Sequence, residues 1–265
     1  MSQPPSAPLA GENAEPVPVP LAAPLNVPQE SFPYWSYQDV ALLAGMALPA
    51  LIVAALIVNV VFRALTDVAP GQTPQLLAAQ FVGYALLFAA LYALLRWRYG
   101  RPFWKSLGWV MPAQGVLLSS VVWGPMLAIG VSVLGVVLRT PEMDMPIKQF
   151  LRGREAIILV AIFGSTLGPV CEEVFFRGFL QPLVVRSLGA GPGIVVAALP
   201  FALLHGPQYG WSWRHVLLVT VAGAAFGWVR QRTGSTAAAT VMHATYNLTF
   251  FIGFLFQGKD SLLRW

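Results

Sequence analysis

Two adjacent glutamates, Glu172 and Glu173, lie inside an otherwise apolar stretch of this 265-residue chain. No other acidic residue occurs between Glu155 and Asp260. A charge at membrane depth costs about 2.5–3.5 kcal/mol on insertion scales, so two neighbouring carboxylates indicate a function or strong compensation. Arg177 follows Glu173 by one helical turn, which predicts an internal ion pair between these two side chains. Glu172 points about 100° away on the same helix, so it is the freer carboxylate and a candidate general base.

Histidine and asparagine supply the other groups that could take part in chemistry. His205 comes late in an apolar stretch, and His243 and Asn247 stand four residues apart, so both face one side of the last apolar helix. A carboxylate with an imidazole can activate a water, while a second imidazole and an amide can hold an oxyanion. The groups that we expect to share one cavity are Glu172, His205, His243 and Asn247. A purely structural network of polar contacts between helices remains the alternative for each cluster.

The composition decides which elements must position these residues. The chain is 57% hydrophobic and only 10% charged, with a mean hydropathy of +0.66, whereas soluble domains carry about 25% charged residues. Such a chain cannot cover a soluble surface, which excludes a soluble enzyme, a coiled coil and a disulfide-rich secreted module. The single cysteine, Cys171, can form no internal disulfide and excludes a cysteine-based zinc site. No basic run is present, so we expect no nucleic-acid partner.

The fold class predicted from this composition is all-α: a polytopic transmembrane helical bundle in a lipid bilayer. About seven apolar stretches are long enough to span or nearly span it: 40–62, 75–96, 115–138, 155–184, 194–208, 215–230 and 235–257. Residues 36–265 form the membrane-embedded helical domain. Residues 1–35 contain nine of the 22 prolines, which predicts a disordered, Pro-rich tail. The segment from Pro141 to Arg154 is a candidate for lying along the interface. Counts of 7 and 8 lysines and arginines on alternate loops do not decide the orientation, but if the charges of Pro141 to Arg154 belong to an interfacial segment, the remaining counts favour a cytoplasmic N-terminus.

Three motifs, in order, resemble those of the CPBP family of intramembrane proteases: Glu172-Glu173-Val-Phe-Phe-Arg177-Gly178, Phe201-x-x-x-His205 and His243-x-x-x-Asn247. That family includes the CAAX prenyl endopeptidases and bacterial Abi or bacteriocin-immunity proteins, and the resemblance covers about residues 155–250. It implies that Glu172 and His205 activate the nucleophilic water. It also implies that His243 and Asn247 form the oxyanion hole, while Glu173 and Arg177 support the site.

The resemblance implies a glutamate- or metal-dependent endopeptidase that acts on protein or peptide substrates at a membrane. The zinc motif H-E-x-x-H is missing, so no cofactor is required by the sequence. A zinc ion held by Glu172, His205 and His243 remains an option. The excess of arginine over lysine and the compact size favour a bacterial plasma membrane. Oligomeric state and prenylation of the substrate are not predicted.

Two functions of other classes compete with the protease. One is a non-enzymatic membrane immunity or assembly partner, in which the polar cluster recognises another protein. The other is a transporter or proton relay, since Glu, His and Arg also carry protons across membranes. Other intramembrane proteases fit less well, because the chain lacks paired membrane aspartates and a Gly-x-Ser-Gly nucleophile.

Overall fold

The computed structural model describes residues 32–65, 72–141 and 154–256. Within these ranges every regular element is a helix, and none is a strand. The helices are α1 Tyr37–Leu65, α2 Gln72–Ala93, α3 Phe103–Ser106, α4 Gln114–Val137, α5 Arg154–Ser165, α6 Leu167–Glu173, α7 Gln181–Leu188, α8 Ala190–Leu204, α9 Trp213–Thr233 and α10 Thr236–Phe256. Wider π-helical turns extend α2 and α6, at Leu94–Arg98 and Val174–Leu180, and a 3₁₀ turn at Gly206–Tyr209 follows α8.

The apolar stretches predicted from the sequence all fall on helices, which confirms the all-α polytopic bundle. Four helical segments are long and apolar enough to cross a membrane: Tyr37–Leu65, Thr73–Arg98, Gln114–Val137 and Glu155–Leu188. Ala190–Leu204 is a shorter apolar helix. Large apolar side chains on the outer faces of these helices are exposed, including Leu48, Val60, Ile129 and Val136. In a bilayer these exposed side chains contact lipid tails, which are as apolar as the interior of a protein. The chain is therefore a multi-pass membrane protein.

The segment predicted as one stretch over 155–184 is interrupted in the structure. Thr166 separates α5 from α6 with φ −130° and ψ −85°, far from helical values. Pro169 lies just beyond it and has no N–H to donate to the carbonyl of Ser165, so the helical ladder cannot run through this point. Because of this break, α6 can run at a different angle from α5, and Glu172 and Glu173 at its end can face into the bundle.

Helix α10 is the central element among the C-terminal helices. It packs against α4, α5, α6 and α9, and small residues at its start, Ala237 to Ala239, are buried. Phe226 of α9 and Met242 of α10 lie in the same apolar cluster. Small side chains let neighbouring helices approach α10 closely, which puts its polar residues within reach of the other helices.

A second apolar cluster fixes the start of the described chain. Trp35 is buried, donates from Nε1 to the carbonyl of Phe179 at 2.9 Å and stacks on the Phe179 ring. Asp39 at the start of α1 accepts from Tyr99 at 2.6 Å and pairs with Arg98 at 3.2 Å. Residues 32–35, the end of the predicted tail, therefore pack on the helical domain. The rest of that tail, and residues 142–153 of the predicted interfacial segment, lie outside the described residues.

Candidate functional site

The two glutamates end α6, at the point where the helix widens into the π-helical turns Val174–Leu180. The Glu173 side chain is 0% exposed and that of Glu172 is 19% exposed. Adjacent residues on a helix face different directions, so one carboxylate is enclosed by protein while the other borders open space. The sequence prediction that Glu172 is the freer of the two agrees with this difference.

Glu173 is held by a guanidinium and an imidazole. Arg177 donates from Nη1 to Oε1 of Glu173 at 2.8 Å, and both side chains are almost completely buried. The predicted ion pair is therefore present. His243 of α10 bonds through Nδ1 to the same oxygen at 2.9 Å. These contacts connect α6 to the central helix and fix the orientation of the His243 ring.

The other side of Arg177 is bonded to the backbone of α9. Its Nη2 donates to the carbonyl of Gly223 at 2.6 Å, and one turn later Gln181 donates to the carbonyl of Gly227 at 2.8 Å. A Cβ atom at Gly227 would lie 2.6 Å from the Gln181 amide oxygen, and one at Gly223 would lie 3.0 Å from Arg177. Only glycine lets these two carbonyls come so close to the polar side chains.

Aromatic rings form the walls around these charges. The Arg177 guanidinium lies 4.5 Å from the centroid of Phe201 and 5.5 Å from that of Phe226. His243 stacks on Phe226, with ring centroids 4.5 Å apart. Cation–π attraction contributes most where water is excluded, so the rings both stabilise the guanidinium and keep the network dry.

Glu172 has looser contacts, with one residue from α2 and one from α10. Its Oε2 lies 3.7 Å from Nε2 of His243, and its Oε1 accepts a long hydrogen bond of 3.4 Å from the hydroxyl of Tyr84. Gln80 donates to the Tyr84 oxygen at 3.0 Å. The sequence analysis missed Tyr84 and Gln80. The available signal was two polar side chains four residues apart in the otherwise apolar α2.

His205 caps the C-terminal end of α8. Its Nδ1 is bonded to the carbonyl of Phe201 at 2.8 Å, so that nitrogen carries the proton in the neutral ring and Nε2 is left with a lone pair. The Phe201 ring contacts both histidines, with centroids 4.6 Å from His205 and 5.7 Å from His243. Within the described ranges His205 bonds to no carboxylate. The imidazole nearest Glu172 is that of His243.

Asn247 lies one turn after His243 on α10 and reaches the break between α5 and α6. Its Nδ2 donates to the carbonyl of Gly164 at 2.7 Å. An amide nitrogen carries two hydrogens, so this bond orients the group and leaves its second N–H for another acceptor. The predicted site residues on α6 and α10 thus lie close together, and His205 is linked to them by the Phe201 ring.

The described residues contain no group of three or more His, Cys, Asp or Glu side chains arranged to hold a metal ion. Glu172, His205 and His243, which the sequence offered as zinc ligands, do not form such a group. The donor set in this structure therefore does not fit a zinc ion.

Residues 154–249 match the family model described as type II CAAX prenyl endopeptidase Rce1-like. The match begins at the first residue of α5 and ends within α10, so it contains the interrupted helix, both glutamates, Arg177, His205, His243 and Asn247. It confirms the resemblance inferred from the three motifs over this part of the chain. Comparisons with curated proteins and with solved structures find no match.

Proposed function

We propose that this protein is an intramembrane endopeptidase in which Glu172 activates the attacking water. The family match supports CAAX-type endopeptidase activity in general, and one structural observation supports the assignment of the base. Glu173 is enclosed and doubly bonded, whereas Glu172 keeps part of its side chain accessible and has only long contacts. A carboxylate that must take a proton and give it back needs that freedom.

The chemistry follows from the groups around Glu172. Glu172 accepts a proton from water, and the resulting hydroxide attacks the carbonyl carbon of the scissile peptide bond. The carbonyl oxygen becomes an oxyanion. Collapse of the tetrahedral intermediate breaks the C–N bond, and the proton held by Glu172 passes to the leaving amine. His205, with Nε2 unprotonated in its neutral form, is the second group that we assign to water activation.

The oxyanion requires donors at fixed positions. We assign this role to His243 and Asn247, because each is already oriented by one hydrogen bond and keeps a further N–H that can donate. His243 is held at Nδ1 by Glu173 and Asn247 at Nδ2 by the Gly164 carbonyl. Because Nδ1 already donates to the Glu173 carboxylate, donation from Nε2 as well requires the positively charged ring, in which both nitrogens carry a proton. The Arg177–Glu173 pair serves the site by holding the His243 ring.

The setting defines the class of substrate. The catalytic groups lie on helices of a multi-pass bundle, so the substrate is a protein or peptide segment at the membrane. A prenylated C-terminal CAAX peptide is one such segment, and the bacterial plasma membrane is the location that we propose.

The test compares protein termini in membranes from cells that express the wild type, Glu172→Gln or Glu155→Gln. Glu155 is an exposed carboxylate at the start of α5, so its variant controls for the loss of one negative charge on the same segment. We expect new termini with the wild type and with Glu155→Gln, and none with Glu172→Gln. Identical termini in all three samples, with all three proteins inserted and folded, would favour the non-enzymatic partner instead. A purified-protein assay on one peptide with and without a prenyl group then identifies the substrate class.

A further inference from the structure

A basic cavity lies at the end of the bundle where α7 and α9 finish. Its volume is about 320 Å³, and its charged and polar lining residues are Arg177, Gln181, Arg186, Arg230 and Gln231. None of these is acidic. Arg177 forms the inner wall and is neutralised by Glu173, so the charge that a ligand would meet comes from Arg186 and Arg230.

Neither of these two arginines forms an ion pair with a carboxylate among the described residues. Arg186 donates from Nη1 to the carbonyl of Pro33, which fixes its guanidinium at the rim. Arg230 is half-buried against Gly108, and its buried Nε has no hydrogen-bond partner in the described part of the chain. Arg186 and Arg230 thus bring two positive charges to one space that holds no carboxylate partner for them. The cavity is therefore suited to an anion.

Arg177, at the inner wall, belongs both to the cavity and to the network around Glu173, whereas the four proposed catalytic residues do not line the cavity. Gly223 of α9 is level with Arg177, and Arg230 follows seven residues later, about 10 Å further along the helix.

At this end of the bundle Tyr34 bonds to Ser106, and Thr236 donates to the carbonyl of Gly108 at 2.9 Å. Further cations stand near the ends of α2, α3 and α9 in the sequence: Arg96, Arg98, Arg101, Lys105 and Arg232. Tyr34, Tyr99 and Trp104 there are typical of the membrane–water interface, the depth at which lipid phosphates lie.

We propose that Arg186 and Arg230 bind a phosphoryl group in this cavity. The planar guanidinium presents paired N–H donors that match phosphate oxygens, and the two side chains face one space large enough for such a group. Two sources share this chemistry: the phosphodiester of an anionic phospholipid and free inorganic phosphate. The site does not depend on proteolysis, so the failure of the proposed catalytic function would leave it untouched.

The experiment uses the full-length protein purified in a neutral detergent. Binding is measured by native mass spectrometry and by thermal melting, with phosphatidylglycerol, phosphatidylcholine or inorganic phosphate as the added probe. The variants are Arg230→Gln and Arg186→Gln. Arg232→Gln is the matched control. Arg232 lies two residues after Arg230 on α9, its side chain is exposed, and its guanidinium lies over the Trp228 ring. Arg186 is itself exposed at the rim, so its variant is expected to fold even if Arg230→Gln does not.

We expect phosphatidylglycerol to bind more tightly than phosphatidylcholine and to raise the melting temperature. Loss of either cavity arginine lowers its affinity about tenfold, since one hydrogen bond between charged groups is removed, while Arg232→Gln keeps wild-type affinity. The same pattern with inorganic phosphate and not with lipid would support the site and identify its source as free phosphate. Equal affinity in the wild type and both cavity variants, or equal losses in Arg232→Gln, would overturn the proposal.

Discussion

Replacing Arg177 by methionine tests the account of the buried network most directly. Methionine fills much of the space of arginine and keeps the contact with Phe201, but it cannot pair with Glu173. The Glu173 carboxylate is 0% exposed and lies 2.8 Å from the guanidinium that would be lost. Its remaining partner is His243, so the variant leaves a buried carboxylate with half of its compensation.

The expected cost is large. Removing one partner of a buried ion pair costs about 3–5 kcal/mol, because the remaining charge stays desolvated. For a domain of this size each kcal/mol shifts the melting temperature by about 2–4 °C. Arg177→Met should therefore melt about 10 °C below the wild type in detergent. Arg232→Met removes an exposed arginine and should melt within about 2 °C of the wild type.

A second variant separates the charge from the packing. In the double variant Glu173→Gln/Arg177→Met both charges are removed, so no unpaired ion remains, and removing a whole buried pair is often close to neutral. We expect it to regain at least half of the lost melting temperature. It should not regain activity, because the glutamine holds His243 less strongly. An unchanged melting temperature in Arg177→Met, or a double variant as unstable as the single one, would refute this account of the ion pair.

Three further perturbations test separate parts of the site. Tyr84→Phe removes the hydroxyl that bonds Glu172 and should lower kcat about threefold to tenfold with unchanged melting; wild-type kcat would contradict this role. Asn247→Ala should lower peptidase turnover by about 10²–10³-fold if the amide holds the oxyanion, and a loss below tenfold would argue against it. Gly227→Ala should lower the free energy of unfolding by about 1–3 kcal/mol, because the added methyl group crowds Gln181. Gly253→Ala is its control and should melt like the wild type, because nothing lies within 4 Å of the added atom. Equal melting of the two variants would disprove the close approach of Gly227 to Gln181.

The sequence predicted the helices and the ion pair because each depends on local information. Apolar stretches of spanning length have few alternatives to the helix in lipid, and a four-residue spacing puts Glu173 and Arg177 on one face. Both are properties of a short segment. The grouping of His243 with the glutamates followed from the order of the motifs.

What the sequence reasoning missed depends on contacts between helices. Hydropathy treated 155–184 as one stretch, although Gly168 and Pro169 were a visible sign of the break after Ser165. Tyr84 could not be assigned to Glu172, because nothing in a single sequence tells which face of α2 meets α6. For the same reason the sequence could not show that His243 is the imidazole beside Glu172 in the structure; the role of His205 in water activation stays a prediction.

The two bonds from α6–α7 to α9 also determine how the bundle can move. Donors and acceptors repeat every four residues, at Arg177 with Gly223 and Gln181 with Gly227. A slide of α9 along its axis by less than one turn would break both bonds, and a slide of one full turn, about 5.4 Å, would restore only one. On this side the register of the helices is locked. On the other side, α2 meets Glu172 through the 3.4 Å hydrogen bond of Tyr84 and meets the π-helical turns through apolar rings, such as Phe88 against Phe175. Apolar contacts of this kind have no directional donors and acceptors, so they fix the register of α2 less strictly than the two bonds fix that of α9.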